Sequence, residues 1–186
     1  MTRDTRERIL DATLAAVSAF GLSRVTLDDV AREAGLSRQT VYRYFGTRDA
    51  LLAATIEREE RGFIDRMVAA AHRHDDLRPA MEAAIAEGLS AARAHPLLDR
   101  LLATEPEALL PSLLGGSSPV LSAAQPVVEE LLRTFAPHLG AREVALAAEA
   151  TSRLLVSYAL TPSATDVEDL AGGLADLVVN GVKPPG

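Results

Sequence analysis

The chain has 186 residues, a formal net charge of −7, a pI near 5.1, 48% hydrophobic and 4% aromatic residues, and no cysteine. A disulfide framework and a zinc finger are therefore excluded, and the acidic balance makes the chain a poor candidate for unspecific coating of nucleic acid, whose affinity comes mostly from neutralising phosphates. No secretory segment opens the sequence and no apolar run reaches membrane-spanning length, so a cytoplasmic chain without a membrane partner is expected, with apolar content ample for one large or two small domains.

Alanine and leucine dominate, aromatics are few and arginine nearly replaces lysine, which favours an all-α fold. The first predicted helix runs from about Thr5 to Phe20, with Ile9, Ala12, Ala16 and Phe20 as its apolar stripe. Thr26 with Asp29 three residues later resembles a capping box and opens a second helix, in which Val30, Ala31 and Ala34 face inward. Gly35 stops that helix, because glycine enters the left-handed C′ conformation without steric cost. Ser37 is the next N-cap. At 100° per residue, Val41 and Phe45 share the inner face of the third helix, Gln39, Tyr42 and Arg43 fall opposite, and Arg38 and Thr40 lie on the flanks. A helix of two turns is unstable alone. Packed on its two predecessors, it completes a helix-turn-helix, a DNA-reading device.

Thr47 caps a fourth helix that extends to about His72, and His74-Asp75-Asp76 with Pro79 mark a break. A helix from Pro79 to about Ala94 ends before Pro96, and shorter pieces from Leu97 to Glu105 and Glu107 to Leu114 are split near Pro106. Gly115-Gly116-Ser117-Ser118-Pro119 reads as a mobile loop. Three helices complete the chain: Ser122 to Ala136 with Pro126 near its start, Ala141 to Leu160, and Asp166 to Val179, the last with Thr165 and Glu168 as a capping box.

The stretch from Arg6 to Leu52 resembles the N-terminal domain of the TetR family of bacterial transcriptional regulators. The resemblance is carried by Arg8-Ile9-Leu10-Asp11-Ala12, Phe20-Gly21, Val25-Thr26, Val30-Ala31, Ala34-Gly35-Leu36-Ser37, Thr40-Val41-Tyr42-Arg43-Tyr44-Phe45 and Arg48-Asp49-Ala50-Leu51-Leu52. It implies a helix-turn-helix DNA-binding domain over residues 1–50 and a larger helical effector-binding and dimerisation domain over residues 51–186. It further implies that Thr40, Tyr42 and Arg48 touch phosphate and that Arg38, Gln39 and Arg43 face the major groove of double-stranded operator DNA, with Thr26 and Tyr44 joining the DNA-binding set. The chemistry agrees. Arginine can bridge guanine O6 and N7 and glutamine can do the same to adenine, whereas hydroxyls suit phosphate oxygens, which fix register without reading sequence. Residues 1–50 carry net +1 and the remainder net −8, so the acidity lies outside the reader.

The last two predicted helices present Val144, Ala148, Thr151, Leu154, Leu155 and Tyr158, and Leu170, Leu174, Leu177 and Val178, more apolar surface than a peripheral hairpin needs. In the family such helices build a four-helix bundle across a twofold axis, and a single short reading helix needs a second copy about 34 Å away on the same DNA face. A homodimer is therefore expected, with Leu154, Leu155, Tyr158, Leu170, Leu174, Leu177 and Val178 at its interface. The family encloses a small-molecule pocket between reader and dimer face, for which Met81, Ile85, Leu89, Leu101, Leu102, Leu131, Phe135 and Tyr158 are lining candidates and His95, Arg100, Glu105, Arg153 and Tyr158 polar ones. Residues at such helical spacing also suit a plain core. An apolar lining fits a hydrophobic or amphipathic effector.

Catalysis has no support in the sequence. His72 and His74 are too close in register to clamp a metal from one helix face, His95 and His138 stand apart, and no phosphate loop, nucleophile elbow or His-Glu-x-x-His pattern occurs. The expectation is a non-enzymatic regulator, most often a repressor, without metal or cofactor. The alternative is a helical ligand-binding or protein-interaction module that does not bind DNA.

Overall fold

A computed structural model describes residues 4–182 apart from 96–97, 99–101, 103, 108–118 and 162. Among the described residues there are eight helices and no strand: α1 (Thr5–Phe20), α2 (Leu27–Ala34), α3 (Arg38–Phe45), α4 (Arg48–Ala71), α5 (Leu77–Arg93), α6 (Pro119–Phe135), α7 (Ala141–Leu160) and α8 (Val167–Gly181). The expected all-α architecture, with its N-terminal helix-turn-helix, is the one found. The chain divides into two compact units, Met1–Arg61 with Pro96–Leu109, and Gly62–His95 with Leu110–Gly186.

In the first unit, Ile9, Leu10, Ala12, Thr13, Ala16 and Val17 form the inner face of α1. They meet Val25, Val30, Ala31, Val41 and Leu51 in one apolar cluster. Thr13 is tolerated there because its hydroxyl donates to Ile9 O at 2.8 Å. Phe20 departs from expectation, since it is 46% exposed. It lies on the stripe, but as the last residue of α1 it is one turn beyond the part that its neighbours cover.

The local signals of α2 and α3 work as read. Thr26 Oγ1 accepts from Asp29 N at 3.2 Å and Asp29 Oδ2 accepts from Thr26 N at 3.0 Å, so two orphan helix-end donors are satisfied reciprocally. Gly35 adopts φ 62°, ψ 37°, the left-handed cap that lets the chain turn directly into α3. The Ser37 side chain accepts from Thr40 N at 3.1 Å, and Thr47 Oγ1 accepts from Ala50 N at 3.1 Å at the start of α4.

The hydrogen bond from Thr26, followed by the Arg32 charge, holds the Asp29 carboxyl below its ordinary pKa. A depressed folded pKa contributes stability that is present above the unfolded value of about 3.9 and is lost as pH falls through the folded one. Asp29→Ala is thus expected to lower the melting temperature at pH 7 by about 2–4 °C, with the gap to wild type closing below about pH 4. Thermal melts across pH 3–7 check this.

In the second unit, α5 inserts Ala80, Met81, Ala84, Ile85 and Leu89 into a cluster shared with Val128, Leu131 and Leu132 of α6, Val144 and Ala148 of α7, and Ala171, Leu174 and Ala175 of α8. Arg78 pairs with Asp176 at 2.9 Å, while a Cβ on Gly172 would stand 3.3 Å from Glu82 Oε1, so α5 and α8 run antiparallel.

Three boundaries differ from the sequence reading. The helix expected from Pro79 begins at Leu77 with Asp76 as N-cap, because Pro79 lies in the first turn, where its missing N–H has no intrahelical partner to lose. The helix expected from Ser122 begins at Pro119, a residue pre-shaped for a helix start, which leaves Pro126 inside α6. The cap of α8 is Asp166, whose Oδ1 accepts from Asp169 N at 2.8 Å, and not the expected Thr165 with Glu168. Near the expected split at Pro106, Leu102 and Thr104 are helical, Glu105 is not, and Pro106 and Glu107 are helical again. Leu98 is helical too; the rest of those short pieces, and the loop Gly115 to Ser118, lie outside the described residues.

Candidate DNA interface

The inner side of α3 is fixed by Val41, which is fully buried, and by Phe45, which packs on the same cluster and lies 5.5 Å beneath the Arg6 guanidinium. With that side pinned, Arg38, Gln39, Tyr42 and Arg43 all point outward. Tyr42 is 61% exposed and Tyr44 43% exposed, with the Arg43 guanidinium 5.9 Å from the Tyr44 ring. Arg38 Nη1 pairs with Asp28 Oδ2 of α2 at 3.1 Å, with both side chains mostly in solvent. An exposed pair of this kind is worth about 0–1 kcal/mol, so phosphate or a base edge can displace it. The face therefore carries two guanidinium forks and an amide able to make paired bonds to bases, beside a phenol able to reach phosphate.

The remaining candidates stand differently. Thr40 Oγ1 lies 2.9 Å from Ser37 Oγ, and Thr26 Oγ1 donates to Asp29 Oδ2 at 2.6 Å, so both hydroxyls serve helix starts. Arg48, expected at phosphate, turns inward. Its Nε donates to Val25 O at 2.7 Å, its Nη2 to Leu22 O and its Nη1 to Asp49 Oδ1 at 3.1 Å. It ties the α1–α2 connection to the start of α4.

Two further clamps hold the reader and were missed from sequence. Arg8 Nη2 donates to Ala34 O at 2.8 Å, locking the end of α2 to α1. Glu105, considered for the pocket, instead accepts from Leu22 N at 3.0 Å and Ser23 N at 2.8 Å, capping the α1–α2 turn. Neither has a local sequence signature, because each partner lies far along the chain.

Of the pocket candidates, Met81, Ile85, Leu89 and Leu131 are buried in the second unit's cluster, with Phe135 and Tyr158 packed against it. Leu102 belongs to the first unit, and Leu101 and Arg100 lie outside the described residues. His95 is half-buried just after α5, and Arg153 pairs with Glu149 at 2.9 Å on the surface of α7. Of the residues expected at a dimer face, Leu154 (40%) and Leu177 (67%) are exposed. Leu155, Tyr158, Leu170 and Val178 pack partly on their own core, while Leu174, Val144, Ala148 and Thr151 are consumed by it. Leu146, 66% exposed, is an outward leucine that the periodicity did not single out.

A helical chain whose N-terminal helix pair displays such a face defines a helix-turn-helix transcriptional regulator. Residues 9–55 match the model for bacterial regulatory proteins of the tetR family, and residues 76–180 match that for the bacterial tetracyclin repressor C-terminal domain. The chain belongs to the TetR family of bacterial transcriptional regulators, which are DNA-binding proteins and not enzymes.

AlkX of Mycobacterium tuberculosis is 29% identical over 180 residues, covering 93% of this chain and 82% of that one. BetI 2 of Chromohalobacter salexigens is 37% identical over 84 residues, 45% of this chain and 41% of its own length. Among solved structures, the repressor AlkX from Dietzia sp. strain DQ12-45-1b, implicated in biodegradation of n-alkanes, superposes with a TM-score of 0.72 at 29% identity, covering 94% of this chain and 96% of that one. FadR from Bacillus subtilis in complex with stearoyl-CoA shares the fold, with a TM-score of 0.67 at 17% identity over 95% and 99% of the two chains. Among the described residues no helix is long and apolar enough to cross a membrane.

Proposed function

We propose that the chain is a repressor that binds a pseudo-palindromic operator as a homodimer and is released by a hydrophobic or amphipathic small molecule. The observation that carries this reading is the outward set Arg38, Gln39, Tyr42 and Arg43 on a helix whose other side is buried. Base reading falls to Arg38, Gln39 and Arg43, and phosphate contact to Tyr42, supported by the helix starts at Thr26 and Thr40.

One α3 covers only part of a major-groove turn, and unit charge near neutrality adds little unspecific affinity, so two copies are required. Leu154 and Leu177, joined by Leu146, are the exposed apolar residues of α7 and α8 best suited to bring them together. Effector binding in the second unit acts by favouring a spacing of the two readers that no longer matches successive major grooves. An aliphatic effector is supported by the n-alkane link of the Dietzia relative and by the acyl-CoA that the same fold holds in FadR.

The test is a gel shift against DNA flanking the chain's own gene, paired with sedimentation. The wild type is expected to sediment as a dimer and to shift one fragment as a dimer. Leu154→Glu with Leu177→Glu is expected to yield monomers and to weaken DNA binding at least ~100-fold through loss of the linked second site. A wild type that shifts no flanking fragment, or a monomer that shifts it equally well, contradicts the reading.

A further inference from the structure

We propose that Arg93 is the seat for the carboxylate of an aliphatic monocarboxylate ligand bound in the second unit; this rests on the effector reading above and specifies the effector's head group. Arg93 closes α5, four residues after Leu89 and next to the buried Ala92, so it continues the stripe through which Ile85 and Leu89 enter the apolar cluster. Its Nε and Nη2 are shut off from solvent and have no hydrogen-bond partner. The residue as a whole is half-buried, a guanidinium cannot relieve the lack of a partner by losing its proton, and buried N–H donors left without an acceptor are unfavourable.

Four other arginines of this unit are already paired. Arg66 pairs with Glu87 at 3.5 Å, Arg78 with Asp176 and Glu82, Arg133 with Glu129 at 2.7 Å and Arg153 with Glu149 at 2.9 Å. Arg93 alone among these is left with an open edge. That edge, Nε and Nη2 together, is the side of the fork whose two parallel N–H groups match the two oxygens of a carboxylate. An open guanidinium edge beside an apolar cluster calls for one negative charge on an apolar chain.

A second orphan points the same way. Ser152 of α7 is 1% exposed, and its Oγ is buried without a partner. Helix α7 packs on α5 and passes into α8 through the short connection between Leu160 and Val167, and α8 runs antiparallel to α5. The C-terminal half of α7 therefore lies toward the end of the unit where α5 finishes at Arg93. Two residues with buried donors and no acceptors in the same half of a largely aliphatic cluster are what an acid head requires, with the chain lying along residues such as Ile85, Leu89 and Leu131.

The experiment titrates the full-length protein with dodecanoate and with 1-dodecanol, which share the chain and differ in the charge, following heat of binding in the wild type, Arg93→Met and Arg93→Lys. Wild type is expected to prefer dodecanoate by about tenfold or more, the value of one charge-assisted bond pair. Arg93→Met is expected to lose that preference and to melt no lower than wild type without ligand, since two buried unpaired donors have gone. Arg93→Lys keeps a reduced preference, having the charge without the fork. Equal affinity of the wild type for the two ligands, binding of neither, or a preference retained in Arg93→Met overturns the proposal. Gel shifts on the same samples separate the two claims. Dodecanoate bound with no release of DNA supports the acid seat and sinks the effector reading, whereas equal release by both ligands supports the effector reading and sinks the role of Arg93.

Discussion

Replacing Arg43 with alanine is expected to lower affinity for the operator by about 2–6 kcal/mol, because each of two symmetry-related copies forfeits about 1–3 kcal/mol of base recognition. Stability should stay within about 0.5 kcal/mol of wild type, as expected of a surface substitution. The side chain is exposed and its only described partner is the Tyr44 ring. The neighbouring substitution Tyr42→Phe removes just the hydroxyl, and so should weaken binding to all sequences alike without changing which is preferred. Fluorescence anisotropy against the operator and a set of single-base variants distinguishes these outcomes. For Arg43→Ala, discrimination should collapse at one base pair per half-site. An Arg43→Ala protein with unchanged affinity and unchanged preference would place base reading elsewhere than on α3.

The second large effect concerns folding of the reader and comes from Gly21→Ala. Gly21 has φ 89° and ψ 159°, a region essentially confined to glycine, where another residue costs about 1–3 kcal/mol. A Cβ there also runs into Glu105 Oε1, the acceptor for Leu22 N, so the substitution strains the backbone and dislodges the cap of the α1–α2 turn. Together these should destabilise the protein by about 2–4 kcal/mol, or roughly 5–15 °C in melting temperature. The pairing with Glu105 makes the prediction specific. Glu105→Ala alone should destabilise modestly, and combined with Gly21→Ala it should cost less than the sum of the two, because the collision is gone. Strict additivity, or a Gly21→Ala protein as stable as wild type, would show that the turn is not held in this way.

The parts of the fold that were legible in the sequence are those decided within a few residues. Thr26 with Asp29, Gly35 and Ser37 each act on a backbone group no more than a turn away, so their residue types announce their structure. The outward set on α3 follows from the same logic, since Val41 and Phe45 fix its rotation. What stayed hidden depends on partners distant in sequence. Arg48 belongs to a motif that the family resemblance ties to phosphate, yet its guanidinium is taken up by the carbonyls of Leu22 and Val25. Glu105 is one acid among many in the sequence and becomes a turn cap through contacts more than eighty residues away in sequence. In α7 and α8, periodicity identifies two apolar helices but cannot divide each into inner and outer sides. Packing on α5 and α6 consumes Leu174 and Val144 and leaves Leu146, Leu154 and Leu177 outside. Pro119 and Pro126 show the same limit at helix starts, where either proline can open a helix and tertiary packing decides which one does.

The central claim is that two copies of α3 read two half-sites through Arg38, Gln39 and Arg43. Selection of bound duplexes from a randomised DNA library by the full-length protein tests it most directly. The expected product is an inverted repeat whose half-site centres lie one helical turn of about 10 base pairs, or a multiple of it, apart, bound with a dissociation constant of about 10 nM or tighter near physiological salt. Recovery of no enriched sequence, or of a single unrepeated site bound equally well by Arg43→Ala, would contradict the account.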